Sequence, residues 1–204
     1  MTEPTTTSTP ATTPTPSTTS TPAESTDAAE PVATAASNCR RLTDFVGTDA
    51  DAWAVVNDGV MGGRSNGVIE IGDSTLRFTG SVVTAGGGFT SVRLRLDGDE
   101  LLDTSRIEMR VRPDGRTYGL TMEDAAEARG RSVSHRADLG TGPIGDDGWA
   151  IAAVDYDQLV PSLFGQPVDA PAFDPASARE FGIIIADGTD GDFALEIDWI
   201  DACP

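Results

Sequence analysis

The chain has 204 residues, 33 acids against 14 bases, and a formal charge of -19. All of the bases are arginine, a bias that with the acidic excess points to genome composition or a salty habitat rather than to a mechanism. Such a balance argues against nucleic acid and anionic membranes as partners, because nothing would displace counterions from phosphates. No run approaches the ~18 apolar residues that span a bilayer.

Residues 1–37 are almost wholly Thr, Ser, Pro and Ala with a few acids, and Val32 and Met1 are their sizeable apolar groups. Such a stretch cannot bury enough surface to offset its conformational entropy, so it is expected to be a disordered tail or stalk. Without a basic or an apolar leader region it does not read as a signal segment, nor is it expected to be a transit peptide, which would be Arg-rich and poor in acids. It carries four acids and no base, which leaves -15 for residues 38–204, the expected folded domain.

Beyond Cys39 the pattern has period two. Leu76 and Phe78 alternate with Thr75, Arg77 and Thr79. Val92, Leu94 and Leu96 alternate with Arg93 and Arg95, and Ile107, Met109 and Val111 with Glu108, Arg110 and Arg112. The segment Arg131–Arg136 alternates too, which predicts a solvent-facing position for His135, the single histidine. Ile183, Ile184 and Ile185 form a continuous apolar run, as in a strand covered on both faces. Phe193, Leu195, Ile197 and Trp199 alternate with Ala194, Glu196 and Asp198, which places Trp199 on the buried side. Turns are expected at Gly62-Gly63, Asn66-Gly67, Gly86-Gly87-Gly88, Asp114-Gly115, Asp147-Gly148 and Gly191. One helical turn is expected at 175–179, opened by Asp174 as N-cap. Many short strands without a long helix predict an all-β sandwich.

Trp53-Ala54-Val55-Val56-Asn57-Asp58-Gly59-Val60-Met61-Gly62-Gly63-Arg64-Ser65-Asn66-Gly67 resembles the opening signature of the complex I intermediate-associated protein family. Phe78-Thr79-Gly80, Gly87–Arg93, Asp114–Tyr118, the Pro- and Gly-containing stretch Val160–Pro167 read as a crossover, and the closing Gly191–Ile200 follow in the family's order. The resemblance runs over roughly residues 42–202. It implies a galactose-binding-like jelly roll, a fold shared with many carbohydrate-binding modules, and a non-enzymatic binding or assembly-type role. Named members assist assembly of respiratory complex I in mitochondria, and this chain departs from that setting in its tail and its two cysteines. The alternative is an extracytoplasmic carbohydrate-binding module on the same fold. The expected partner is therefore a protein or a glycan.

Terminal strands of such jelly rolls approach one another, so a disulfide is expected between Cys39 and Cys203; two reduced thiols in a cytosolic protein are the alternative. The disulfide would mean an extracytoplasmic or cell-surface location, with the signal segment outside this numbering; the alternative location is cytoplasmic.

Chemistry is sparse. No Gly-x-Ser-x-Gly elbow, cysteine-nucleophile context or phosphate-binding loop accompanies His135, so no enzyme and no cofactor are expected. Asp187, Asp190 and Asp192 suit a hard cation such as calcium, and a polar hairpin loop accounts for them equally well. Six arginines fall between Arg93 and Arg116, which predicts a positive sheet face: a salt-bridge ladder with Glu108 and other acids, or a groove for an acidic or hydroxyl-rich ligand. The expected ligand site is Asp58, Arg93, Arg116 and Tyr118. Asn57, Gly59, Gly62 and Gly63 are expected to shape the turn beside it.

Overall fold

The computed structural model describes residues 38–47 and 50–204; the tail expected over 1–37 lies outside them. The period-two segments become strands β1 (Arg40–Thr43), β2 (Trp53–Asn57), β3 (Asn66–Gly72), β4 (Thr75–Val82), β5 (Thr90–Arg95), β6 (Arg106–Arg112) and β7 (Tyr118–Ala128). There follow β8 (Arg131–Asp138), β9 (Gly140–Thr141), β10 (Ala150–Asp155), β11 (Val160–Leu163), β12 (Gln166–Pro167), β13 (Glu180–Ile185) and β14 (Gly191–Cys203).

They form two antiparallel sheets. The first has the order β3-β4-β14-β6-β10-β9, with β1 also paired to β14; the second runs β12-β11-β8-β7-β13-β5-β2. The chain crosses repeatedly between them, from β1 to β2, β2 to β3, β4 to β5, β5 to β6, β6 to β7, β8 to β9, β10 to β11 and β13 to β14, and the result is a jelly-roll sandwich. Because alternate side chains leave opposite faces, Leu76, Phe78, Met109 and Ile197 of the first sheet meet Val92, Leu120, Phe181 and Ile183 of the second in a closed core. Cys39 and Cys203 are disulfide-bonded, closing the domain across 164 positions of sequence.

Several expectations are corrected. The stretch Val160–Pro167 is a hairpin, β11 against β12, not a crossover. Asn66-Gly67 opens β3 instead of turning, because the Asn57 side chain accepts from the Gly67 amide at 2.9 Å and fixes the strand start. Ile184 is half-buried on the outer face of the second sheet, so the triple-isoleucine run is not covered on both sides. A bulge in the β14–β6 pairing between Ile197 and Trp199 flips the parity. Ile200 takes the core position and Trp199 moves outward, under the Arg41 guanidinium at 4.9 Å. The turn at Pro175–Ser177 is present, and Asp174 accepts from the Ala176 amide at 3.1 Å.

Candidate binding groove

The four residues expected to form the ligand site do not form one site; only Arg116 and Tyr118 come together, both bonded to the Asp114 carboxylate. Asp58 has no exposed surface. Its carboxylate accepts from the Ser65 amide (2.9 Å), the Ser65 hydroxyl (2.6 Å), the Gly88 amide (2.7 Å) and the Phe89 amide (3.3 Å). Burial opposes its ionisation, and these four donors overcome it and hold the carboxyl below its ordinary range. Arg116 forks onto Asp187 with two contacts of 2.8 Å and donates to the carbonyls of Thr189 (2.6 Å) and Asp192 (2.8 Å). Tyr118 is buried, its hydroxyl 3.1 Å from Asp114, and burial first, then the charge of Asp114, push it above the usual phenol range. These three shape loops and core; Arg93 alone of the four faces a cavity.

The turn residues are likewise structural. Asn57 does not cap the following turn; it ties β2 to the Gly67 amide and the Thr90 hydroxyl. Gly62 takes a φ of +84°, and a Cβ on Gly63 would sit 2.2 Å from the Asp58 carboxylate, whereas Gly59 meets neither demand. Asp187 is neutralised by Arg116 and Asp190 accepts from the Thr84 amide at 2.6 Å. Among the described residues, the calcium candidates Asp187, Asp190 and Asp192 do not converge as a ligand set. His135, expected on the solvent face, is fully buried, with Nε2 3.1 Å from the Pro171 carbonyl and its ring edge-on to Phe173.

The arginine cluster divides between sheets, because β5 and β6 belong to different layers. On the first sheet, Arg110 pairs with Asp147 at 2.7 Å and with Asp198, Arg77 lies 3.2 Å from Glu196, and Arg112 shares that glutamate. Arg110 and Arg112 also cover the Trp149 ring at 4.8 and 4.4 Å. That face is a salt-bridge ladder.

The outer face of the second sheet is different. It holds a groove of about 930 Å³. Strand register lays out its floor: Arg93, Gly182, Thr121 and Arg136 stand opposite one another in one cross-strand row. The neighbouring row carries Glu180, Glu123, Ser134 and Ser162. Two buried glycines make room for these side chains to lie close over the sheet. A Cβ on Gly182 would lie 2.5 Å from the Thr121 hydroxyl, and one on Gly119 would lie 3.1 Å from Nε of Arg136. Arg93 is held by Glu180 at 3.0 Å, with Glu123 at 3.8 Å. Burial, and next the charge of Glu180, raise the Glu123 carboxyl against the pull of Arg93.

The Arg136 guanidinium has no ion-pair or hydrogen-bond partner among the described residues. One wall is the loop of Thr84, Gly87, Gly88 and Phe89 with exposed Met61, and Asp58 underpins it through the Gly88 and Phe89 amides. The other is the β11–β12 hairpin, with Phe164 at its tip, 78% exposed, and Arg131 stacked 5.3 Å from its ring. Sequence reading passed over Arg136 and Phe164: the first is an ordinary strand arginine and the second lay in the presumed crossover. The Phe-Gly pair followed by Gln166-Pro167 was the available signal of a tight hairpin.

Residues 43–197 match the family model for complex I intermediate-associated protein 30. No curated protein matches the sequence. The fold is similar to the family 11 carbohydrate-binding module of a cellulosomal cellulase of Clostridium thermocellum, with a TM-score of 0.59 at 13% identity over 83% of this chain and 96% of that one. It is also similar to the family 11 module from Clostridium thermocellum in complex with a β-1,3-1,4-mixed-linked tetrasaccharide, with a TM-score of 0.58 at 14% identity over 81% and 95%. At such identities the likeness establishes the jelly roll alone.

Proposed function

Because the chain belongs to the complex I intermediate-associated protein 30 family, we propose that it is a non-catalytic binding module whose ligand lies in the groove on the outer face of its second sheet. The observation that carries this reading is the row Arg93-Gly182-Thr121-Arg136, in which Arg93 is ion-paired and the Arg136 guanidinium has no counter-ion among the described residues. A cavity of about 930 Å³ is of the size that small-molecule and polymer sites take. The side chains do not favour catalysis: His135 points into the core, and Glu123 is engaged with Arg93.

Family membership favours a protein partner and an assembly-type role. A glycan is favoured by the lining of Ser132, Ser134, Ser162 and Thr121 and by the fold's likeness to a module solved with a tetrasaccharide. The disulfide supports an oxidising, extracytoplasmic setting over a cytoplasmic one. Ser134→Trp, which fills the middle of the groove, separates the possibilities. Loss of a specific co-purifying protein in that variant supports the assembly-type partner, and loss of binding on a glycan array supports the glycan. Retention of every wild-type interaction by a folded Ser134→Trp protein would remove the groove from consideration.

A further inference from the structure

We infer that the groove recognises a carboxylated glycan, a uronate-bearing oligosaccharide, with Arg136 taking a carboxylate and Phe164 the face of a sugar ring. The inference rests on the groove being the binding surface and names the chemistry of its occupant.

Charge comes first. Residues 38–204 carry -15, and their acids occupy most of the arginines on the sheet faces. Against that background Arg136 is a half-buried guanidinium without a partner among the described residues, in the same row as Arg93. Arg131, at the groove's end, has a ring and, among the described residues, no acid against it. A planar donor fork left unpaired above a concave floor matches a carboxylate, which accepts two parallel hydrogen bonds.

Strain comes second. The loop between Leu163 and Gln166 has two residues, Phe164 with φ +51° and Gly165 with φ +74°, which is a type I′ turn. Asn or Gly is preferred at the first position, and a bulky L-residue in the left-handed region is disfavoured. The chain nonetheless places phenylalanine there and leaves its ring 78% exposed at the groove mouth. Such a ring serves a ligand better than it serves the fold. Val160, opposite Arg136, stands four residues before Phe164, so carboxylate site and ring are about 13 Å apart along the strand. That span suits a short oligosaccharide.

A peptide fits the same surface less well. Strands β5, β13, β7 and β8 are paired on both sides, so the floor offers side chains and no free backbone for an added strand. An acidic peptide would also set carboxylates against Glu123 and Glu127, which line the groove. A uronate chain separates its carboxylates by hydroxyls, which Glu123 can accept and Ser132 and Ser134 can meet.

The test is calorimetric titration of the full chain with oligomers of galacturonate, of mannuronate and guluronate, and of glucuronate-containing glycans. Methyl-esterified oligogalacturonate and an oligoglutamate peptide are run beside them. At least one oligouronate is expected to bind, with affinity falling as salt rises. Its neutral ester and Arg136→Gln should each weaken binding roughly tenfold or more. Phe164→Asn should weaken binding while the Tm stays level or rises. If no oligouronate binds, if the peptide alone binds, or if ester and acid bind equally, the carboxylated-glycan inference is wrong. In the last two cases, loss of binding in Ser134→Trp would leave the groove reading standing, and its persistence there would remove both.

Discussion

At the scale of single residues, the long polar signature around Asp58 is a buried anchor. Four donors from two loops converge on one fully buried carboxylate, and its removal would leave the buried Ser65 amide without an acceptor and strip the Gly88 and Phe89 amides of theirs. Asp58→Ala is expected to destabilise the domain by about 3 kcal/mol, above the ~1 kcal/mol of a lost helix cap. Arg93→Ala should change stability by no more than about 1 kcal/mol, because its ion pairs are partly exposed to solvent. Denaturant unfolding of the two variants measures the difference; equal losses would make Arg93 part of the scaffold. The Asp58 carboxyl is held below its unfolded value, so its contribution is complete above the ordinary aspartate pKa of ~3.9. That contribution disappears as pH falls through the depressed folded value. Stability curves of wild type and Asp58→Asn should therefore converge on acidification, and a constant gap down to the acid limit would contradict the assignment.

Elements show why local rules and tertiary demands part company. Three two-residue hairpins join β3 to β4, β7 to β8 and β11 to β12, at Asp73-Ser74, Arg129-Gly130 and Phe164-Gly165, all with positive φ at both positions. Arg and Asp at the first position are tolerated at the surface, but Phe is the poorest fit of the three. Phe164→Asn relieves that conformation and should stabilise the fold by about 1 kcal/mol. A measured destabilisation would mean that the Arg131 stack outweighs the backbone strain. The β14 bulge works in the other direction: one irregular step keeps Ile197 and Ile200 both in the core and moves Trp199 out to Arg41.

For the whole molecule, the Cys39–Cys203 bond joins the residue before β1 to the end of β14, the strand with which β1 pairs. Closing a loop of 164 positions removes chain entropy from the unfolded state, by about 5 kcal/mol on the entropic account. Reduction, or the Cys39→Ser and Cys203→Ser pair, should lower the Tm by many degrees while leaving the far-ultraviolet spectrum of the folded domain unchanged at low temperature. An unchanged Tm after complete reduction would show that strand pairing of β1 with β14 suffices. The same closure matters for the groove, since the first sheet supports the second from behind through the shared core.

The sequence by itself determined the all-β class, the strands of one buried face and the family, because period-two patterning and an idiosyncratic turn signature are local properties of the chain; it left the cysteines open between a disulfide and two thiols, and the pairing of β1 with β14 decided for the disulfide. Its account of the site was incomplete for a physical reason. Arg93 and Arg110 look alike along the chain, yet β5 and β6 belong to opposite sheets, so one lines a groove and the other a salt-bridge ladder. Asp58, Arg116 and Tyr118 carry polar groups that look available in sequence, but their donors and acceptors, four to 76 positions away, are spent inside the fold. Arg136 and Phe164 acquire meaning the same way. Only the register of five strands and the direction of one hairpin place an unpaired guanidinium and an exposed ring along a single groove, and pairing across strands is a long-range choice that no short stretch of chain encodes.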